Sequence, residues 1–171
     1  MADDRAEGVQ LLVLDVDGVL TDGGIHLNDH GVETKRFHVR DGTGIRLWKE
    51  LGYEVAIITG RSGQVVRHRA EELGIEHVYQ GNKAKAEPFR QLLSRLHLPA
   101  SAAAMVADDV PDLSVMRLAG YPIAVADAVP EIKALAAYVT FLPGGQGAVR
   151  EAIEHLLRAK GRWLEAIAPS G

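Results

Sequence analysis

Short apolar runs alternate along this chain with longer stretches in which apolar residues recur every three or four positions. Residues 9–16 (VQLLVLDV) are continuously apolar and stop at Gly18, the pattern of a strand covered on both faces. Residues 24–38 instead form short alternating stretches around Asn28-Asp29-His30-Gly31, which predicts a β-hairpin after that strand. Ile45, Leu47, Trp48 and Leu51 predict a helix over 41–51, ended by Gly52. Further strands are expected at 53–59, 77–80, 103–107, 121–126 and 138–141. Helices are expected at 62–73, 88–96, 111–119, 129–136 and 147–160. The tail, 161–171, carries no clear pattern. This alternation predicts an α/β chain, a Rossmann-like three-layer sandwich with a mainly parallel sheet, as a single domain over 1–171. Such sheets bind ligands outside the carboxyl ends of their strands. There, three polar exits would converge: Asp15-Val16-Asp17, Thr59-Gly60-Arg61 and Asp108-Asp109.

Composition narrows the classes of function. The 171 residues are 47% hydrophobic and 25% charged, which suits a globular core, and the net charge of -4 offers no basic footprint for nucleic acid. Without cysteine there is no disulfide and no thiolate metal site. The start, MADDRAEG, is not a signal peptide, and no apolar run is long enough for a membrane span. A cytoplasmic protein without membrane or nucleic-acid partners is expected.

Asp15 and Asp17 lie two apart, so an extended strand puts both carboxylates on one face. Two neighbouring carboxylates repel unless a cation joins them, and an oxygen-only set of Asp15, Asp17 and Asp108 suits Mg²⁺. Facing a bound phosphate, Asp15 could attack phosphorus while Asp17 served as acid and base. The Thr59 hydroxyl could donate to a phosphoryl oxygen beside Gly60, where backbone amides approach an anion closely, and Arg61 could hold an anion bidentately. Lys85 starts a helix, an adverse place for a cation, and could balance the charge of aspartates and phosphate; spacing alone leaves Lys83 as a competitor. Asp109 and Asp112 could orient the metal site or pair with the lysine. Taken singly, each of these is an ordinary surface feature. Their order is what is specific.

That order, D-x-D-G-V, T-G-R, lysine and D-D on successive strands, resembles the haloacid dehalogenase-like phosphohydrolases. DVDGVLTDG, KRFHVRDGTGI, VAIITGR, YQG, PIAVADAVPEI, YVT and GGQGAVRE extend the resemblance over residues 9–162 to the 3-deoxy-manno-octulosonate 8-phosphate phosphatase family. The resemblance implies a HAD-like fold with no large cap domain and a homotetramer in which a neighbour helps cover the site. It also implies a Mg²⁺-dependent monoesterase that acts on a sugar-acid phosphate through an aspartyl-phosphate, in lipopolysaccharide precursor synthesis. By resemblance Asp15 is the nucleophile, Asp17 the acid/base with its backbone carbonyl on Mg²⁺, and Thr59 a phosphate contact. Lys85, favoured over Lys83 by family spacing, balances charge, and Asp108 is a metal ligand.

One departure stands out: Ala107 precedes Asp108-Asp109 where the family usually has glycine. If that position needs φ > 0, alanine introduces strain. The sugar carboxylate needs its own cationic contact, for which Arg61, Arg69 and the amides of Gly144-Gly145-Gln146-Gly147 are candidates. His38 to Asp41 could add contacts, and Lys160, Arg162 and Trp163 open a tail that could reach a neighbour's site. Two alternatives are a phosphatase for a nonulosonate 9-phosphate or similar 2-keto-3-deoxy sugar acid, and a non-catalytic oligomeric binding module.

Overall fold

The structure, a computed structural model, describes residues 4–168. Its strands are β1 (Leu11–Leu14), β4 (Glu54–Ile58), β5 (His77–Tyr79), β6 (Ala103–Ala107), β7 (Tyr121–Ala124) and β8 (Tyr138–Val139), with a separate hairpin of β2 (His26–Leu27) and β3 (Glu33–Thr34). The helices are α1 (Asp4–Glu7), α2 (Val39–Glu50), α3 (Gln64–Glu72), α4 (Ala86–Leu96), α5 (Leu113–Met116), α6 (Pro130–Lys133), α7 (Ala148–Ala159) and α8 (Trp163–Ala166).

The six main strands lie in the order β5-β4-β1-β6-β7-β8, and every pair is parallel. β1 is central, with Leu11 beside both Glu54 and Ala103. Its four residues are fully buried, which explains an apolar run without alternation. Helices α1, α2, α7 and α8 pack together on one face, and α4, α5 and α6 on the other. The three-layer α/β expectation therefore holds. The fully buried Trp48 anchors α2, its indole N–H donating to the Glu54 carbonyl at 2.9 Å.

The hairpin forms where its turn residues predicted. Asn28 Oδ1 accepts from the amides of His30 and Val32, and Gly31 takes a φ of +72°, a left-handed conformation glycine adopts freely.

Other expectations need correction. The helix read over 111–119 is a tight 3₁₀ turn, Val110–Asp112, followed by the short α5, because Pro111 and the Asp109 cap set up a turn before the helix. Residues 4–7 form a short helix that the sequence did not suggest. The tail through Ala168 docks on its own chain: Trp163 is buried, with the guanidinium groups of Arg150 and Arg158 at 5.0 and 5.4 Å from its ring centroid. Arg162 reaches the Leu51 carbonyl and the Tyr53 hydroxyl, beside the amino end of β4 and away from the strand exits. Ala107 is an ordinary strand residue of β6, paired with Ala124, and its φ is not positive. Its methyl group therefore imposes no left-handed strain.

Candidate active site

The carboxyl ends of β1, β4 and β6 surround a cavity of about 190 Å³ lined by Asp15, Asp17, Thr59, Gly60, Arg61, Lys85, Asp108, Asp109 and Pro111. Asp15 follows β1 directly, and a loop then turns back through Gly18, whose φ is +88°. A Cβ at Gly18 would lie 2.0 Å from Asp108 Oδ2, so glycine is what lets the β6 carboxylate approach the β1 loop. Thr59 is buried at the end of β4, its amide donating to the Tyr79 carbonyl at 2.9 Å.

Lys85 occupies the N-cap position of α4 and is 2% exposed. A buried cation at the positive end of a helix is doubly unfavourable without partners. It has two: its Nζ is 2.6 Å from Asp112 Oδ1 and 2.9 Å from Asp15 Oδ1. The second contact is an ion pair that lies off the axis of a hydrogen bond. Burial alone would lower the Lys85 pKa, but the two carboxylates outweigh it and hold the pKa above its ordinary value. Lys83 does not line the cavity.

The acidic groups are pushed the other way. Burial raises Asp15, against the opposing pull of Lys85. Burial, reinforced by neighbouring carboxylates, brings Asp108 and Asp112 up to about 7. Asp15, Asp108 and Asp112 each present an oxygen within 4.8 Å of the others. Asp15 Oδ1, Asp108 Oδ1 and Asp112 Oδ2 are buried without a hydrogen bond. Ionised together, three carboxylates against one ammonium leave two negative charges unbalanced, and hard oxygens that accept no hydrogen bond suit a divalent cation such as Mg²⁺.

This cluster differs from the set read from sequence. Asp112 supplies the third carboxylate, whereas the Asp17 side chain turns away to Lys35, whose Nζ is 2.5 Å from Asp17 Oδ1. Asp109 is exposed, and its carboxylate caps its own turn by accepting from the Val110 amide at 2.7 Å. Lys35 and Glu33, both from β3 and its exit, escaped the sequence reading. The available signal was the alternation of Glu33-Thr34-Lys35, which puts two opposite charges on one hairpin face pointing at the first strand exit.

Two candidate substrate contacts stand elsewhere. Arg69 packs on α2, with its guanidinium 5.6 Å from the Phe37 ring centroid and 2.7 Å from Glu72, outside the cavity lining. The amides of Gly144 and Gly145 are already used, donating to Asp127 Oδ1 and the Val19 carbonyl at 2.9 Å each. They cannot also cradle an anion. Their role is close packing: a Cβ at Gly144 would lie 1.8 Å from the Gly18 carbonyl oxygen. Asp41 likewise turns from the cavity to the first turn of α7, where its Oδ1 accepts from the Arg150 amide at 2.8 Å.

Residues 35–120 match the family model of the haloacid dehalogenase-like hydrolases. The 3-deoxy-D-manno-octulosonate 8-phosphate phosphatase KdsC of Salmonella typhi is 48% identical over 162 residues, 95% of this chain and 86% of that protein. The KdsC of Yersinia pestis is 44% identical over 163 residues, 94% and 87% of the two chains. Among solved structures, the same enzyme from Moraxella catarrhalis, determined with magnesium, phosphate and KDO, superposes with a TM-score of 0.94 at 41% identity. That match covers 96% of this chain and 94% of the other.

Proposed function

Because this chain belongs to the haloacid dehalogenase-like hydrolases, we propose that it is a Mg²⁺-dependent phosphomonoesterase acting on 3-deoxy-D-manno-octulosonate 8-phosphate, in the supply of lipopolysaccharide precursors. The observation that carries the reading is the Lys85 ammonium wedged between Asp15 and Asp112 at the strand exits, with three buried carboxylate oxygens there that accept no hydrogen bond. Relatives of this length and identity bearing that enzyme's name supply the substrate.

Asp15, Asp108 and Asp112, with the Asp17 carbonyl, are the groups to hold Mg²⁺. When bound, the ion offsets repulsion between the carboxylates and the phosphoryl oxygens. Asp15 is the nucleophile, held beside Lys85 so that its oxygen faces the cavity. Its oxygen bonds to phosphorus as the phosphorus–sugar oxygen bond breaks, and Asp17 gives its proton to the departing alcohol. Asp17 then takes a proton from the water that attacks the aspartyl-phosphate, releasing phosphate and restoring Asp15. Thr59 and Lys85 contact the phosphoryl oxygens, and Arg61, on the cavity rim, faces the sugar acid.

Assembly as a homotetramer in the cytoplasm completes the proposal. Exposed apolar residues on and beside the hairpin (Ile25, Leu27, Val32 and Val39) support a partner surface there. Among the described residues no helix is long and apolar enough to cross a membrane.

The test is phosphate release from a panel of sugar-acid monophosphates, with Mg²⁺ or EDTA, for wild type and Asp15→Asn. Release from the eight-carbon ester that needs both metal and Asp15 is the expected result. Preference for a nine-carbon acid would keep the mechanism and change the substrate. No release from folded, Mg²⁺-binding protein would leave a non-catalytic module.

A further inference from the structure

Four charged groups from three chain segments close a ring beside the cavity. Lys35 Nζ lies 2.5 Å from Asp17 Oδ1 and 3.1 Å from Glu33 Oε1. Arg61 Nη2 lies 2.6 Å from Glu33 Oε1, and Arg61 Nε lies 3.7 Å from Asp17 Oδ2. The charges alternate in sign around the ring. Its members differ in exposure: the Lys35 side chain is 2% exposed, while that of Arg61 is 48% exposed. A cation with an almost wholly buried side chain, held by hydrogen bonds to a catalytic carboxylate and to Glu33 of its own hairpin, has no stabilising role that a surface pair would not fill at lower desolvation cost. The arrangement instead fixes where the Asp17 carboxylate points. Lys35 grips Oδ1, and Oδ2 stays beyond hydrogen-bond reach of Arg61.

We infer that Lys35 is a positioning residue that aims Asp17 at the leaving oxygen, making the hairpin part of the catalytic apparatus. This rests on the phosphatase reading above. In the step concerned, the phosphorus–oxygen ester bond breaks, its electron pair stays on the sugar oxygen, and the proton from Asp17 completes the alcohol. Lys35 exchanges no proton. It holds the donor carboxylate within reach of the leaving group.

A leaving group that needs no proton separates this role from a structural one. The alkoxide of a sugar must be protonated as it departs, whereas p-nitrophenolate is stable unprotonated. For Lys35→Met with enzyme in excess, the first-turnover rate of sugar release from octulosonate 8-phosphate is expected to fall about 10- to 100-fold, while the first-turnover rate of p-nitrophenolate release, which precedes the step that uses Asp17 as base, changes less than about threefold. In an Asp17→Asn background, adding Lys35→Met is expected to cost nothing further, because the group it acts through is gone. Lys35→Gln keeps a donor for Oδ1 and should recover part of the sugar-phosphate rate. It also serves if the methionine variant does not fold, as thermal unfolding would show.

Equal losses in the two first-turnover rates would make Lys35 structural. A rise in KM for the sugar phosphate that persists in the Asp17→Asn background would make it a substrate contact, and unchanged kinetics would remove it altogether. Each of these overturns the inference while leaving the phosphatase reading intact. A wild type that releases phosphate from neither substrate overturns both.

Discussion

Gly144 is distant in sequence from every group that touches the phosphate, yet its substitution should disable the enzyme. Its φ is not left-handed, so alanine there costs nothing in backbone conformation. The cost is steric: the new Cβ would sit 1.8 Å from the Gly18 carbonyl oxygen and 2.5 Å from its carbon, both unyielding backbone atoms. Since Cβ contacts under 3.0 Å essentially never occur, the two loops must separate by at least 1.2 Å (3.0 minus 1.8). The loop that yields carries Asp17 and Gly18, and Gly18 in turn abuts Asp108. A misplacement of about 1 Å costs on the order of 100-fold in rate, and overpacking of this kind about 1–3 kcal/mol in stability. The control is Gly120→Ala, whose Cβ would meet the Ser101 backbone at 2.5 to 2.7 Å, also below the 3.0 Å limit but at the opposite end of the sheet. Phosphate release and thermal unfolding should be measured on both variants. Both should lose about 2–12 °C in Tm, but only Gly144→Ala should lose kcat. Equal kcat losses, or a Gly144→Ala enzyme with wild-type kcat, would refute the loop-displacement argument.

Other consequences are open to measurement. Lys85→Met leaves Asp15 and Asp112 buried without their shared counter-charge, so calorimetry should show a loss of about 3–5 kcal/mol, and phosphate release should fall by at least about 100-fold. Asp108 and Asp112 bind protons more tightly folded, with pKa values raised to about 7, than unfolded, near about 3.9. Their contribution to stability is whole below the unfolded value and is lost as pH rises through about 7. Protein in EDTA should therefore lose stability between about pH 4 and pH 7, and Mg²⁺ should raise Tm more at the higher pH; equal increments at both would contradict the cluster assignment. Trp163→Ala should cost about 3 kcal/mol in denaturant unfolding while kcat stays unchanged, because the docked tail lies beside the amino end of β4. A fall in kcat with unchanged stability would place the tail at a neighbour's site instead.

The elements legible from sequence were those whose local pattern and tertiary surroundings agree. Residues 11–14, 54–58 and 103–107 are apolar because they are central strands, and 103–107 has the same bounds in the structure. The Asn28–Gly31 turn was readable because its hydrogen bonds are local. The strand exits then located Asp15, Thr59 and Asp108 through topology alone. Features built from distant partners stayed hidden. The alternation around Lys35 gives the face its ammonium occupies but not its partner, Asp17, 18 positions earlier. A glycine-rich stretch before a helix has the form of an anion cradle, and only packing shows that Gly144 and Gly145 have spent their amides on Asp127 and Val19. Asp112, read as a supporting residue, joins the metal cluster because the 3₁₀ turn over 110–112 swings it inward and buries it.

The strand that carries the proposed nucleophile is made first and gains its second neighbour late. β1 borders β4 on one side and β6 on the other, so Leu11 finds one neighbour at residue 54 and the next at residue 103. Closing the larger of those loops is entropically expensive and slow compared with forming any helix between them. During synthesis the first half of the chain, through β4 and β5, can assemble only a sheet in which β1 is still an open edge. Asp15 thus waits without Asp108 or Asp112, unable to gather a cation, until β6 emerges and seals the edge. Metal capture therefore follows the last long-range pairing of the central strand, and an interruption before residue 103 yields a sticky, metal-blind fragment rather than a weak enzyme.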